Sequence, residues 1–347
     1  MGHDRERDVK QVRIHAPDDV RIDEVDPIEP GPRDAVISVA ACGICGSDVG
    51  YVRLGGVAGP TRAPLPIGHE LSGVVARVGS EVRDLAPGTR VVLNPMAAGN
   101  SIGNGGAQGG FAPELLVPNA ADGGALLPIP DSLSFEAAAL AEPLGVGMQA
   151  VNRSGAVRGE KVVVFGAGPI GLMSLATLRH RGIDDVLIVD RSARRLEVAA
   201  RLGARATLDA RTEDVWARIR ELHGAGSWLG MEMPGSDAYI EASGASSVLL
   251  DIIGRARENA RVSIVALHRD PIEVSFLTVM SKQLTLAGSI CYPEDFGEMI
   301  DMLQEVDLTP VITHRFPLDR FVEAFEVASD TDAGAKIMIE VENDAHR

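Results

Sequence analysis

The sequence predicts an α/β protein of two domains, a compact β-barrel followed by a doubly wound parallel sheet. Three observations carry this. A chain of 347 residues is too long for one ordinary core. Residues 12–118 read as short alternating apolar segments with Gly and Pro turn signals roughly every ten residues, which favours a barrel over a helical domain. From Ser134 onward the period becomes helical, and a strand–helix–strand alternation follows whose strands are apolar on both faces.

The elements follow in order. Strand candidates in the first part are Ala35-Val36-Ile37-Ser38-Val39, Gly73-Val74-Val75-Ala76-Arg77-Val78 and Arg90-Val91-Val92-Leu93. Residues 94–110 are Gly, Asn, Ala and Ser with almost no periodicity, and read as a loop. Phe135-Glu136-Ala137-Ala138-Ala139-Leu140 opens a helix that Ser134 caps. Lys161-Val162-Val163-Val164-Phe165 is a strand, 169–180 an apolar helix, and Val186-Leu187-Ile188-Val189-Asp190 the next strand. A charged amphipathic helix over 193–202 stops at Gly203. Residues 238–242, 261–267 and 283–287 are three further strands, and the stretch after about residue 289 is expected to return to the first domain. The domains are expected at 1–149, completed by 291–347, and at 150–290.

Composition is globular, 45% hydrophobic and 24% charged, with no apolar run long enough to span a bilayer. Residues 1–11 are charged and hold no signal-peptide core, so a cytoplasmic location is expected. Three cysteines, Cys42, Cys45 and Cys291, make a disulfide framework implausible. A net charge of −16 disfavours nucleic acid and anionic membrane as partners.

Gly166-Ala167-Gly168-Pro169-Ile170-Gly171 lies between an apolar strand and an apolar helix. The first glycine permits a tight bend, the second lets backbone approach a phosphate, and the third lets helix pack on strand. The helix start beyond them offers free N–H groups and partial positive charge to a diphosphate. Asp190 ends the following strand, where a carboxylate accepts from adenosine ribose hydroxyls and repels a 2′-phosphate. NAD is therefore the expected cofactor. Arg191 and Arg195 pull the other way, because a guanidinium can partner a phosphate; Arg194 and Arg195 also read as a solvated helix face.

Cys45 follows a strand, and His69-Glu70 follow the turn Pro66-Ile67-Gly68. A thiolate, an imidazole and a carboxylate spaced far apart in sequence suit a catalytic zinc rather than a structural one. Singly, Cys45 reads equally as a small buried hydrophobe and His69 as a core histidine. Cys42 and Cys45 form a Cys-x-x-Cys pair, but no second pair exists to complete a structural site.

Gly43-Ile44-Cys45-Gly46-Ser47-Asp48, Gly68-His69-Glu70, Glu142-Pro143-Leu144-Gly145-Val146-Gly147 and the glycine turn occur in one order over essentially the whole chain. In these segments the chain resembles the zinc-dependent medium-chain dehydrogenases, above all the sorbitol, butanediol and threonine dehydrogenase branch. The resemblance implies a GroES-like β-barrel catalytic domain and a Rossmann domain. It implies that Cys45 and His69 bind zinc, with Glu70 and Glu142 binding directly or through water, and Asp48 holding His69 in its tautomer. It implies Ser47 as the residue passing a proton outward and Tyr51 as a substrate-facing tyrosine. Gly166, Gly168, Pro169, Ile170, Gly171, Asp190 and Arg195 would take the cofactor.

Three departures stand out. Residues 94–110 hold none of the four close cysteines of the family's second zinc lobe, so one catalytic zinc and no structural zinc is expected. Gly50 replaces the histidine that many relatives use in proton relay. Cys291-Tyr292 stands where sorbitol-type relatives place an arginine before the tyrosine, which argues for a less hydroxylated secondary alcohol or diol over a hexitol. The expected activity is alcohol/ketone interconversion with NAD on a small-molecule secondary alcohol, diol or polyol, in a homotetramer or homodimer. A zinc-free quinone or enoyl reductase and a catalytically idle NAD-binding protein are the alternatives.

Overall fold

The computed structural model describes residues 9–341. Residues 1–8, which carry most of the charged opening segment, and residues 342–347 lie outside the described residues. Strands β1 (Val9–Ala16), β2 (Asp19–Val25) and β3 (Ala35–Ile44) lead into helix α1 (Gly46–Leu54). Then come β4 (Leu65–Pro66), β5 (Glu70–Val78), β6 (Arg90–Leu93), β7 (Glu114–Val117), β8 (Leu126–Pro128), α2 (Phe135–Ala139) and α3 (Ala141–Ser154). The second part runs β9 (Lys161–Phe165), α4 (Pro169–His180), β10 (Asp185–Asp190), α5 (Ala193–Arg201), β11 (Ala206–Asp209) and α6 (Val215–His223). It continues through β12 (Ala225–Trp228), β13 (Met231–Pro234), β14 (Ala238–Glu241), α7 (Ser246–Arg255), β15 (Arg261–Ile264), α8 (Phe276–Ser281) and β16 (Thr285–Gly288). The chain ends with α9 (Gly297–Glu305), β17 (Ile312–Pro317), α10 (Phe321–Ser329) and β18 (Lys336–Glu340).

Among the described residues two compact units result: 9–142, 296–330 and 336–341 form one, and 143–295 with 331–335 the other. The divisions therefore fall after Glu142, in the first turn of α3, and at Phe296, rather than at 149/150 and 290/291.

In the first unit a seven-stranded sheet, β17-β18-β3-β5-β6-β8 with β7 also on β3, is accompanied by the three-stranded sheet β2-β1-β4. One core joins them: Val12 and Ile14 of β1, Ile37 of β3, Leu71 of β5, and Phe316, Phe321 and Ile339 from the returning segment are all buried in it. Each large apolar side chain so buried contributes about 1.5–3 kcal/mol.

Helix α1 departs from the all-strand expectation for this region. Gly46 and Gly50 give it little intrinsic propensity, so the sequence reads as a turn. A local cap and burial against the core supply what propensity lacks. Asp48 Oδ2 accepts the backbone N–H of Cys45 at 2.9 Å, closing the first turn. Val49 and Val52 are buried beneath, and Gly55 ends the helix at φ 74°.

The second unit holds a six-stranded sheet, β11-β10-β9-β14-β15-β16, parallel throughout. The chain winds outward from β9 to β11, then crosses to the other side of β9 at β14. The order reverses there, and the carboxyl ends of β9 and β14 flank the crevice where such sheets bind ligands. The short strand β11 and the hairpin β12–β13 were absent from the expected elements. Leu229 and Gly230 turn that hairpin with φ of 49° and 77°, a mirror-image turn whose first residue carries no local signal for it.

Candidate active site

The first unit brings the expected metal residues together. Cys45 sits in extended backbone at the N-cap of α1, and His69 and Glu70 stand at the entry to β5. The cysteine sulfur, one imidazole nitrogen and one carboxylate oxygen lie within 4.8 Å of one another. His69 and Glu70 are only 2% and 1% exposed.

Asp48 organises two of these residues. Its Oδ2 holds the Cys45 amide, and its Oδ1 lies 3.5 Å from His69 Nδ1. That leaves Nε2 of His69 to face a ligand. Asp48 Oδ1 and His69 Nδ1 are both buried without a hydrogen-bond partner. The two atoms therefore need only a small adjustment to bond once the ring is held from its other side.

Gly68 enforces the approach. Its φ is +98°, and a Cβ there would stand 2.7 Å from the Phe111 ring. Only glycine tolerates both demands.

Lys336 of β18 is the residue that the sequence reading missed. Its side chain is 1% exposed, and Nζ donates to Glu70 Oε1 at 2.7 Å, to Glu70 Oε2 at 2.5 Å and to the Ile44 carbonyl at 3.0 Å. The one signal for it was a lysine opening an otherwise apolar strand, Lys336-Ile337-Met338-Ile339. Gly43 makes room for the pair, since a Cβ there would meet Glu70 Oε2 at 2.3 Å and Lys336 Cδ at 3.2 Å.

Glu142, at the start of α3, adds a second carboxylate. Burial drives its pKa up to about 7, with the nearby Glu70 and Asp48 charges adding to the rise and His69 and Lys336 opposing it. Burial also works against charge on the His69 ring, but Asp48 and Cys45 outweigh it and hold its pKa well above the usual value. A thiol and three carboxyl groups thus share a buried pocket with a single lysine as permanent cation. The cluster draws protons to itself, which is where a divalent cation would bind and displace them. Zinc fits this donor set: soft sulfur, imidazole and carboxylate in sparse sequence spacing.

Ser47 and Tyr51 lie one turn apart on α1, with the serine hydroxyl beside the phenol. Tyr51 Oη also donates to Asn104 Oδ1 at 3.2 Å, a partner from the glycine-rich loop that the sequence reading left without a role. Burial raises the Tyr51 pKa, so the phenol keeps its proton at neutral pH. Cys42 belongs to the hydrophobic core, and burial pushes its thiol up well above the ordinary range.

The second unit presents the glycine turn as the sequence describes it. Gly166 has φ +100°, and Gly168 caps α4 with Pro169 in the first helical turn. At Gly171 a Cβ would stand 1.8 Å from the Gly166 carbonyl oxygen, whereas at Gly168 only Arg195 Nη1 comes within 4 Å. The turn is closed where helix meets strand and open where a phosphate would lie. Ile170 is partly buried in the same first turn.

Asp190 Oδ2 accepts from the Ala167 amide at 2.6 Å, and Oδ1 from the amides of Arg191 and Ser192. The carboxylate thus also braces the turn, a role that spacing alone did not suggest. Arg195 Nε donates to the Gly334 carbonyl at 2.7 Å.

Known proteins share this two-part organisation. Residues 31–131 match the model for an alcohol dehydrogenase GroES-like domain, and residues 169–305 that for a zinc-binding dehydrogenase. The chain is 32% identical to human sorbitol dehydrogenase over 342 residues, 94% of each chain. The chain belongs to the zinc-dependent medium-chain alcohol dehydrogenase family. Among solved structures, this dehydrogenase superimposes on 2R,3R-butanediol dehydrogenase from Bacillus subtilis with a TM-score of 0.83 and 30% identity, covering 96% of this chain and all of that one. A short chain alcohol dehydrogenase from E. coli CFT073, complexed with NADH, matches with a TM-score of 0.83 and 25% identity, covering 96% of this chain and 99% of that one. The GroES-like and Rossmann expectations hold, and with them an oxidoreductase that uses zinc and a nicotinamide cofactor. No helix among the described residues is long and apolar enough to cross a membrane.

Proposed function

We propose that this dehydrogenase interconverts a secondary alcohol, vicinal diol or polyol and its ketone with NAD, at one zinc site per chain held by Cys45, His69 and Glu70. The convergence of those three ligand atoms within 4.8 Å carries the reading. Glu142 stands among the same charges and would reach the ion directly or through water. The known activities of relatives, on sorbitol and on 2R,3R-butanediol by their names, support the substrate class.

When bound, zinc supplies Lewis-acid polarisation of the alcohol oxygen, and the nicotinamide ring accepts the hydride. The chain's own groups do the rest. Asp48 aligns His69 and the Cys45 backbone. Lys336 neutralises Glu70, so the pocket can gather several anionic ligands without mutual repulsion. Ser47 takes the hydroxyl proton and hands it to Tyr51, which releases its own to solvent while Asn104 Oδ1 orients the phenol; Tyr51 serves as a neutral donor and acceptor, never as a free phenolate. Gly50 has no side chain, so the relay runs along the Ser47–Tyr51 face of α1.

Asp190 at the end of β10 supports NAD over NADP, since a buttressed carboxylate repels a 2′-phosphate. Arg195, whose Nη1 lies 3.8 Å from the position of a Gly168 Cβ, is placed to meet the diphosphate. A cytoplasmic setting is proposed from the three free cysteines, one of them a thiolate ligand that a reducing compartment preserves. We further propose a homodimer or homotetramer built on the edge strand β16, which ends the sheet beside the exposed Phe276, Leu277 and Met280 of α8.

The test combines metal analysis with NAD reduction on a panel of diols, polyols and simple secondary alcohols. About one zinc per chain and chelator-sensitive turnover are expected, with Cys45→Ser losing both. Turnover that survives full removal of metal would overturn the zinc reading, and a strong preference for hexitols would overturn the expectation, drawn from Cys291-Tyr292, of a less hydroxylated substrate.

A further inference from the structure

The crevice between β9 and β14 has two sides, and only one is explained by the glycine turn. Glu241 closes β14, level with Phe165, the last residue of β9, in the parallel register. A Cβ on Gly166 would meet the Ala242 carbonyl and the Ser243 amide at 2.7–2.8 Å, so the segment after Glu241 forms the opposite wall of the turn. Glu241 is fully buried. Its Oε1 accepts from the Ser243 amide at 2.9 Å, the Ser243 hydroxyl at 2.5 Å and the Gly244 amide at 3.0 Å. Its Oε2 takes His268 Nε2 at 2.8 Å. His268 lies just past β15, on the segment whose Val265 and Ala266 amides both bond the Glu241 carbonyl.

A carboxylate accepts only, so Nε2 of His268 must carry the hydrogen. In the neutral ring that places the lone pair on Nδ1. The side chain is 10% exposed, and Nδ1 is a buried atom without a hydrogen-bond partner. An acceptor held so firmly at the carboxyl ends of the strands, and left unpaired, needs a donor. In a doubly wound sheet the β9–β11 half takes the adenosine end of the dinucleotide and the β14–β16 half the other.

We propose that His268 contacts the cofactor on its nicotinamide side, with Nδ1 accepting a hydrogen bond from the carboxamide or from the adjoining ribose hydroxyl, and that Glu241 is the residue positioning it. The inference rests on the cofactor reading above and adds a binding residue to it. The donor chemistry is shared by the two ligand groups, and truncated cofactors separate them.

The experiment measures dissociation constants for NADH, ADP-ribose and ADP on wild type and on His268→Gln, with no alcohol present. Glutamine keeps an amide donor for Glu241 and has no acceptor at the Nδ1 position. NADH binding by the variant is expected to weaken about 3- to 10-fold, the worth of one hydrogen bond, with ADP unchanged. ADP-ribose weakened equally assigns the ribose; ADP-ribose unchanged assigns the carboxamide. NADH binding equal to wild type overturns the proposal, leaving His268 a loop anchor, and so does an equal loss for ADP. Wild-type protein that binds no NADH overturns the cofactor reading itself and this inference with it. A readout that needs no variant is the His268 Nδ1 resonance of the wild type, expected to move on adding NADH and to stay in place on adding ADP.

Discussion

Lys336 carries an ammonium group into the interior of the first unit, where an isolated charge is costly, and Glu70 removes most of that cost through two hydrogen bonds. The pair is more costly to break than to keep. Lys336→Met leaves Glu70 buried without a counterion and should destabilise the protein by about 3–5 kcal/mol, read as a lower midpoint in denaturant unfolding; an unchanged midpoint would show that Glu70 had another partner. The space around the pair is just as constrained. Gly43→Ala adds a carbon 2.3 Å from Glu70 Oε2, so the carboxylate has to move. Zinc content per chain should drop while NADH binding in the second unit persists. At Gly171 the added carbon meets backbone at 1.8 Å, and Gly171→Ala should show the converse, zinc retained and NADH binding lost.

Elements differ in how far they could be read in advance. Helix α4 begins at Pro169 and α5 ends before Gly203 because proline, glycine and the Ser192 cap act locally, through rules that a sequence displays. The cap of α2 is the same kind of feature, with Ser134 Oγ accepting from the Ala137 amide at 3.2 Å. Helix α1 carries local signals too, the Asp48 side chain on the Cys45 amide and Gly55 at its end, but it also needs Val49 and Val52 to find the barrel core, and that is not local. The residues proposed to hold zinc were legible as residue types at family spacing. Lys336 was not, since its partner lies in another part of the chain, and Asn104 was hidden in a segment without periodicity. Asp48 ties the element to the chemistry. Asp48→Asn removes the charge opposite His69 while keeping a side-chain oxygen for the Cys45 amide. Zinc affinity should fall about 10- to 100-fold, measured by competition with a chelator, with little change in helix content.

For the whole molecule, pH acts on stability through a histidine remote from any proposed chemistry. His223 is buried at the end of α6, with Nδ1 2.8 Å from Ser236 Oγ and Nε2 3.1 Å from Asp185 Oδ1. Burial pushes its pKa down to about 4; Asp185 resists, while Arg205 and Lys161 add to the fall. Unfolded histidine titrates near 6.5, so between those values the unfolded chain binds the extra proton. The stability from a neutral His223 is complete above about pH 6.5 and is lost as pH falls toward 4, about 3 kcal/mol over the full window. Urea midpoints at pH 7.5 and 4.5 should fall further apart in wild type than in His223→Gln; equal differences would show that other groups set the acid limb. Order in time follows from the pairing of Glu70 with Lys336, whose positions are 266 residues apart. A ribosome adding about 5–20 residues per second delivers the lysine roughly 13 to 53 seconds after the glutamate. Until then Glu70 has no Lys336 to pair with, and β3 lacks the neighbour that β18 later becomes. The proposed metal centre would therefore mature late in the life of each molecule, only once β18 has been translated and has docked.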